Sequence, residues 1–180
     1  MMKFKIFKFK KVNSTNNTAI RIIKNTNHKF GMIISETQSN GRGQYGKKWI
    51  SYKGNLFVSF FLKLENLNIK LKEITKINCL LIKKLLSIYY KKEIIFKKPN
   101  DLLIDKKKIC GILQETLVKL DKKYLIVGIG INLIKNPNIK NYPTTNLHDL
   151  TKKKLSKSKI ENELKKIFEL KINKHYKSIF

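Results

Sequence analysis

The run NLFVSFFLKL, Asn55–Leu64, is apolar at almost every position. A strand wetted on one face would alternate apolar and polar residues. A continuous run of this length, rich in Phe and Val, reads instead as a strand buried inside a sheet. KYLIVGIGINL, Lys123–Leu133, repeats the pattern with two glycines set into it. Neither run is long enough to cross a bilayer as a helix. A chain holding two such segments has to build a sheet around them.

The remaining segments supply that sheet. KFKIFKFKKV (Lys3–Val12) alternates Phe and Ile with Lys, a strand pattern without the continuous apolar core of a secretory signal. GMIISET (Gly31–Thr37) is a short apolar strand, and EIIFKKPND (Glu93–Asp101) is a strand stopped by Pro99. Leu102–Val118 reads as two strands around a lysine turn at Asp105–Lys108. Between Leu71 and Tyr90 the period changes. Ile74, Ile77, Leu81, Leu85 and Ile88 recur at helical spacing, as do Ile160, Leu164, Ile167 and Leu170 beyond Ser158. Ser14 and Thr15 are placed to cap a further helix that carries Ala19, Ile22 and Ile23. The pattern predicts one α+β domain over residues 1–180: a mixed, largely antiparallel sheet with helices packed on one face.

Composition enters through charge. Forty Lys and Arg against twelve Asp and Glu give a net charge of +28. Arg21 and Arg42 are the only arginines, and the lysines are spread along the whole chain rather than clustered. Lys, Ile and Asn share A/T-rich codons, so compositional drift outweighs a selected nucleic-acid surface. Whatever its origin, such a charge steers anionic ligands and acidic partners inward. Cys79 and Cys110 lack metal-ligand spacing and neighbouring histidines, and read as small buried hydrophobes. The expected location is cytoplasmic, with no membrane contact.

Three clusters bear on chemistry. GRGQYGKKW, Gly41–Trp49, sets one planar, permanently charged guanidinium among glycines whose backbone N–H groups can line a phosphate or carboxylate. A long hairpin connection would account for it equally well. The spacing matches neither G-x-x-x-x-G-K-[ST] nor G-x-G-x-x-G. KKPNDLLIDKKKICGILQE, Lys97–Glu115, brings Lys97, Asn100 and Asp101 to a strand end; Asp101 there could orient the lysine or help hold a magnesium ion, and a polar turn is the plainer alternative. GIGIN, Gly128–Asn132, lets a flat ligand approach the backbone, or else marks a β-bulge. Trp49 is expected to pack in the core rather than stack on a base.

Taken together and in this order, GRGQYGKKWIS, KKPNDL, KICGILQE and GIGIN resemble the motifs of biotin protein ligases, with STN at Ser14–Asn16 and Gln38 fitting upstream. The resemblance covers roughly Val12 to Asn132. It implies a catalytic domain of the class II aminoacyl-tRNA synthetase and biotin synthetase type. It also implies a two-step ligation in which biotin and ATP give biotinyl-adenylate and pyrophosphate, and a lysine of a biotin carboxyl carrier protein then takes the acyl group. Biotin contacts carry over to Ser14, Thr15, Asn16, Gln38, Gly41, Arg42, Gly43, Gln44, Lys97 and Gly111, with Ile112 and Gly128–Gly130 as apolar floor. Nucleotide contacts carry over to Arg42, Lys97, Asn100 and Asn132. Arg42 and Lys97 are the expected catalytic cations. Mg²⁺ comes with ATP, and no protein ligands are assigned to it.

Three departures qualify the resemblance. Gln44 stands where many members have a second arginine, which predicts a leakier intermediate. Lys98 replaces a tryptophan and either lowers a pKa in the Lys97–Lys98 pair or turns into solvent. The sequence carries neither the helix-turn-helix domain of repressor-type members nor a C-terminal β-barrel, so operator binding is not expected; a homodimer is allowed. The alternatives are a lipoate or octanoate ligase, a non-catalytic nucleic-acid-binding module, and a folded but feeble ligase.

Overall fold

The computed structural model of the chain describes residues 3–64 and 71–177; the domain expected over residues 1–180 extends outside these at 1–2, 65–70 and 178–180. The strands are β1 (Lys5–Val12), β2 (Phe30–Gln38), β3 (Gly41–Arg42), β4 (Lys48–Trp49), β5 (Leu56–Lys63), β6 (Ile95–Lys97), β7 (Asp101–Ile104), β8 (Lys107–Lys119) and β9 (Lys122–Ile131). The helices are α1 (Thr15–Asn25), α2 (Leu71–Tyr89), α3 (Leu147–Thr151) and α4 (Lys157–Lys177). Seven strands form one sheet in the order β1-β2-β5-β9-β8-β7-β6, and β3 and β4 form a separate ribbon. Only β1 and β2 run parallel in the main sheet. The mixed, largely antiparallel α+β expectation therefore holds.

The two apolar runs become β5 and β9, neighbours in the sheet interior. Leu56, Val58, Phe60 and Leu62 of β5 join a large core with α2 and α4, where Phe60 stacks on Phe168 at 4.1 Å between ring centroids. Phe61, one residue out of phase, faces the other way and packs with Ile33, Ala19 and Ile23 beneath α1. One expectation needs correction here: helices cover both faces, with α2 and α4 on one and α1 on the other. The cause is β5 itself, whose side chains are apolar on both sides and need cover on both. At 11 residues α1 is too short to cover its face fully. The strands beyond it leave an open floor.

Tight turns close the hairpins. Asp105 and Lys106 both take left-handed φ (48° and 61°) between β7 and β8, as do Leu120 and Asp121 (46° and 58°) between β8 and β9. Paired left-handed residues match the natural twist of a two-residue hairpin. The strand expected to stop at Pro99 is β6, Ile95–Lys97; the chain turns through Lys98–Asn100 into β7, and the Lys98–Pro99 peptide is cis. Two positions expected on apolar helix faces, Ile88 and Leu170, are exposed. Cys79 and Cys110 are free and buried as expected, and burial pushes the Cys79 thiol up to about 12.

Candidate active site

Cross-strand register builds the floor of the site. Asp101, Gly111, Gly130 and Phe57 lie side by side across β7, β8, β9 and β5. Leu113, Gly128 and Ser59 form the next row on the same face. The glycines are there because nothing larger fits. A Cβ on Gly128 would lie 2.3 Å from Asn16 Oδ1, and one on Gly130 would lie 2.4 Å from Trp49 Cε2. The result is a flat trough, walled by the start of α1, the β3–β4 ribbon, the β6–β7 turn and the segment after β9. It encloses a cavity of about 670 Å³.

The wall at α1 is rigidly wired. Gln38 Oε1 accepts from Thr15 N (2.8 Å) and Thr15 Oγ1 (3.1 Å), while its Nε2 donates to Ser51 Oγ at 3.1 Å. Asn16 Nδ2 donates to Glu115 Oε2 at 2.7 Å and to Leu113 O at 3.3 Å. The fully buried Ser59 donates to Asn16 Oδ1 at 2.6 Å and lies 2.8 Å from Thr15 Oγ1. Ser14 occupies the N-cap position of α1 but makes no side-chain cap, contrary to the capping expected of it.

The ribbon carries Arg42. Its guanidinium donates to Asn17 Oδ1 and Glu115 Oε1, each at 2.6 Å, so it is held at the rim of the trough by an acid from β8. Gly43–Lys47 is not a loose loop: Gly43 N donates to Lys47 O at 2.6 Å around a single 3₁₀ turn, Gln44–Gly46. Tyr45 has φ of 54° within it and stands 89% exposed. Trp49 is half-buried, and it lies in the trough rather than in the core. A Cβ on Gly111 would meet its Cζ3 at 2.7 Å, and its Nε1 is buried without a partner among the described residues.

Opposite stand two lysines and a tyrosine. Lys97 Nζ sits 4.6 Å from the Tyr142 ring centroid and Lys108 Nζ 5.5 Å from it. Lys108 also pairs with Asp101 Oδ1 at 2.9 Å, and Tyr142 OH donates to Asp101 Oδ2 at 2.6 Å. Burial, then the adjacent carboxylate, pushes the Tyr142 phenol well up, so it stays a donor at any ordinary pH. The segment bearing Tyr142 is laced to β8 by Lys108 N to Pro143 O (2.8 Å) and Thr145 N to Lys108 O (2.9 Å). Lys98 is exposed, so of the two outcomes expected for it the turn into solvent is the one found.

Ser14, Thr15, Asn16, Gln38, Arg42, Gly43, Gln44, Lys97, Asn100, Gly111 and Asn132 all line this cavity. Gly41 does not; it is buried, and a Cβ there would lie 2.5 Å from Trp49 O and 2.9 Å from Gln38 Nε2. Asn100 Nδ2 is committed to Ile112 O at 2.7 Å. The sequence reading did not single out Lys108, Glu115, Ser59 or Tyr142 as site residues. Lys108 and Glu115 stood inside a quoted motif, whereas Tyr142 lies in a Pro- and Asn-rich stretch without periodicity. A divalent ion is poorly served by the protein alone, since no three His, Cys, Asp or Glu side chains cluster among the described residues. One oxygen does suit a cation: Asn132 Oδ1 is buried in the cavity wall with no partner among the described residues. That donor set fits an ion held mostly by phosphate oxygens and water.

Comparison with known proteins adds to this geometry. The model of the biotin/lipoate A/B protein ligase family matches residues 8–132. The bifunctional ligase/repressor BirA of Bacillus subtilis is 30% identical over 129 residues, which is 71% of this chain and 40% of that protein. Its Escherichia coli counterpart is 32% identical over 102 residues, 56% of this chain and 32% of that protein. This chain thus spans less than half the length of either. Among solved structures, the biotin protein ligase of Aquifex aeolicus in complex with biotin and ATP superposes with a TM-score of 0.81 at 28% identity. The match covers 96% of this chain and 72% of that one.

Proposed function

The chain belongs to the biotin/lipoate A/B protein ligase family, and from that premise we propose that it joins biotin to a lysine of a biotin carboxyl carrier protein through biotinyl-5′-adenylate. The observation that carries the reading is that one cavity brings a glycine-floored trough together with Arg42, Lys97 and Lys108. A flat bicyclic ring suits the trough, with Thr15 and Asn16 at its polar edge. Its acid group then points toward the cations.

The chemistry follows from charge. A carboxylate has to attack the α-phosphorus of ATP, and both partners are anions. Lys97 and Lys108 meet the carboxylate and phosphate oxygens as point charges, and Arg42 meets them as a planar fork. Asp101 and Tyr142 hold Lys108 in place, so little reorganisation is needed when the anions arrive. The carboxylate oxygen–phosphorus bond forms as pyrophosphate leaves. In the second step an acceptor amine attacks the acyl carbon and AMP departs. Mg²⁺ arriving with ATP would neutralise phosphate charge, and the unpartnered Asn132 Oδ1 is the oxygen that would help to hold it. Gln38 acts by fixing Thr15, since both ends of its amide are already engaged. Gln44 leaves the glycine turn one cation short, and Lys47 and Lys48 are the nearest substitutes.

The test is pyrophosphate release from ATP and Mg²⁺ with biotin or lipoate as the acid. Biotin-dependent release is expected. Release with lipoate alone would replace this reading by the lipoate one, and the shared trough leaves that acid as the natural rival. Release with neither would end both.

A further inference from the structure

We propose that the mouth of the cavity is a docking rim for an acidic protein face, namely a carboxylate-rich surface around the acceptor lysine of the carrier domain. The inference rests on the ligase reading and adds to it the chemistry of the partner. Five lysines border the mouth: Lys47 and Lys48 from the glycine ribbon, Lys97 and Lys98 from the β6–β7 turn, and Lys140 from the segment after β9. All five are exposed, and none takes part in an ion pair among the described residues. The one carboxylate among the lining residues, Asp101, is turned inward onto Lys108 and Tyr142.

Such a ring repels the very group the second step needs. An acceptor lysine approaches as an ammonium and enters a collar of like charges. It can dwell there only if it brings negative charge with it, so the acceptor has to carry carboxylates around its lysine. A protein face fits better than a nucleic acid. The cations come from three separate segments that line one cavity, whereas a polyanionic strand calls for a stripe or groove. Tyr45 stands at the top of the ribbon, almost wholly exposed, where an aromatic anchor for a protein face belongs.

The experiment uses the full chain, biotin, ATP, Mg²⁺ and a purified acidic biotin-carrier domain. The Lys98→Glu/Lys140→Glu double variant is compared with the unchanged protein, with Lys98→Gln/Lys140→Gln as the milder pair and circular dichroism to check folding. Pyrophosphate release without acceptor should stay within about twofold, because both side chains are exposed and neither is assigned to hold biotin or ATP. Transfer to the carrier, read as kcat/KM, should fall about tenfold in the charge-reversed pair and less in the neutral pair. Its dependence on salt should flatten in the same order. Equal transfer and equal salt dependence in all three proteins overturns the proposal. So does a rim that loses random duplex DNA on charge reversal while carrier binding stays unchanged. Calorimetric carrier binding separates the two levels. If the unchanged protein releases no pyrophosphate, the ligase reading fails; the rim then stands if binding weakens in the charge-reversed pair and falls if it does not.

Discussion

At the scale of single residues, the site divides into groups that touch a ligand and groups that hold those groups still. Lys97 is exposed and leans on one aromatic ring, whereas Lys108 is clasped by a carboxylate behind it. Both should matter to adenylate formation, by about 10²–10³-fold each on replacement by Ala. They should differ in a second respect. Asp101→Asn should imitate the loss of Lys108 in part, since it frees that lysine, and should leave the contribution of Lys97 intact. Single-turnover pyrophosphate release from the three variants measures this, and an unimpaired Lys97→Ala protein would remove that lysine from the site. Most lining residues were legible because short motifs repeat a residue type at fixed spacing. Tyr142 was not, because its place is set by backbone bonds to β8 that no local pattern encodes. Trp49 was misplaced for a related reason. A lone aromatic after a polar loop looks like a core anchor until the glycines opposite it are known to lie in register.

At the scale of elements, α1 is the piece on which the site leans most. Its first residues, Thr15 and Asn16, wall the trough, and its far end is fastened by one lysine. Lys119 Nζ donates to Ile23 O at 2.9 Å and to Thr26 O at 2.7 Å, meeting carbonyls that the helix terminus leaves unpaired. Replacing Lys119 by Met keeps the hydrocarbon stem and removes the donor. The expected cost is about 1–2 kcal/mol, read from the urea midpoint at an unchanged slope. The longer strands and helices were legible from apolar runs and periodicity. What the sequence hid were the joints. Asn55, fully buried, accepts from the amides of Leu133, Ile134 and Lys135 at 3.0, 2.9 and 3.1 Å, and so fixes where the chain leaves β9 toward Tyr142. A single asparagine before a strand gives no sign of such a role.

At the scale of the whole molecule, one sheet separates two tasks. The face under α2 and α4 holds most of the core, and the face beside α1 is left open where the glycines line up. The continuous apolar run of β5 required cover on both sides, and the expectation of helices on one face overlooked that demand. The charge works against this compactness. At +28 the folded chain repels itself, and added salt screens that repulsion. Raising ionic strength from about 0.01 M to about 0.15 M should therefore raise Tm by about 3 °C or more. A scanning calorimeter checks it, and a Tm indifferent to salt would mean the lysines lie too far apart to matter.

The sole indole of the chain rests on the glycine trough. It therefore serves as a built-in optical gauge. Any guest settling on that floor must brush it or push it aside, so its ultraviolet emission should change in colour and intensity as biotin is titrated, with no dye attached and no background from a second emitter of its kind.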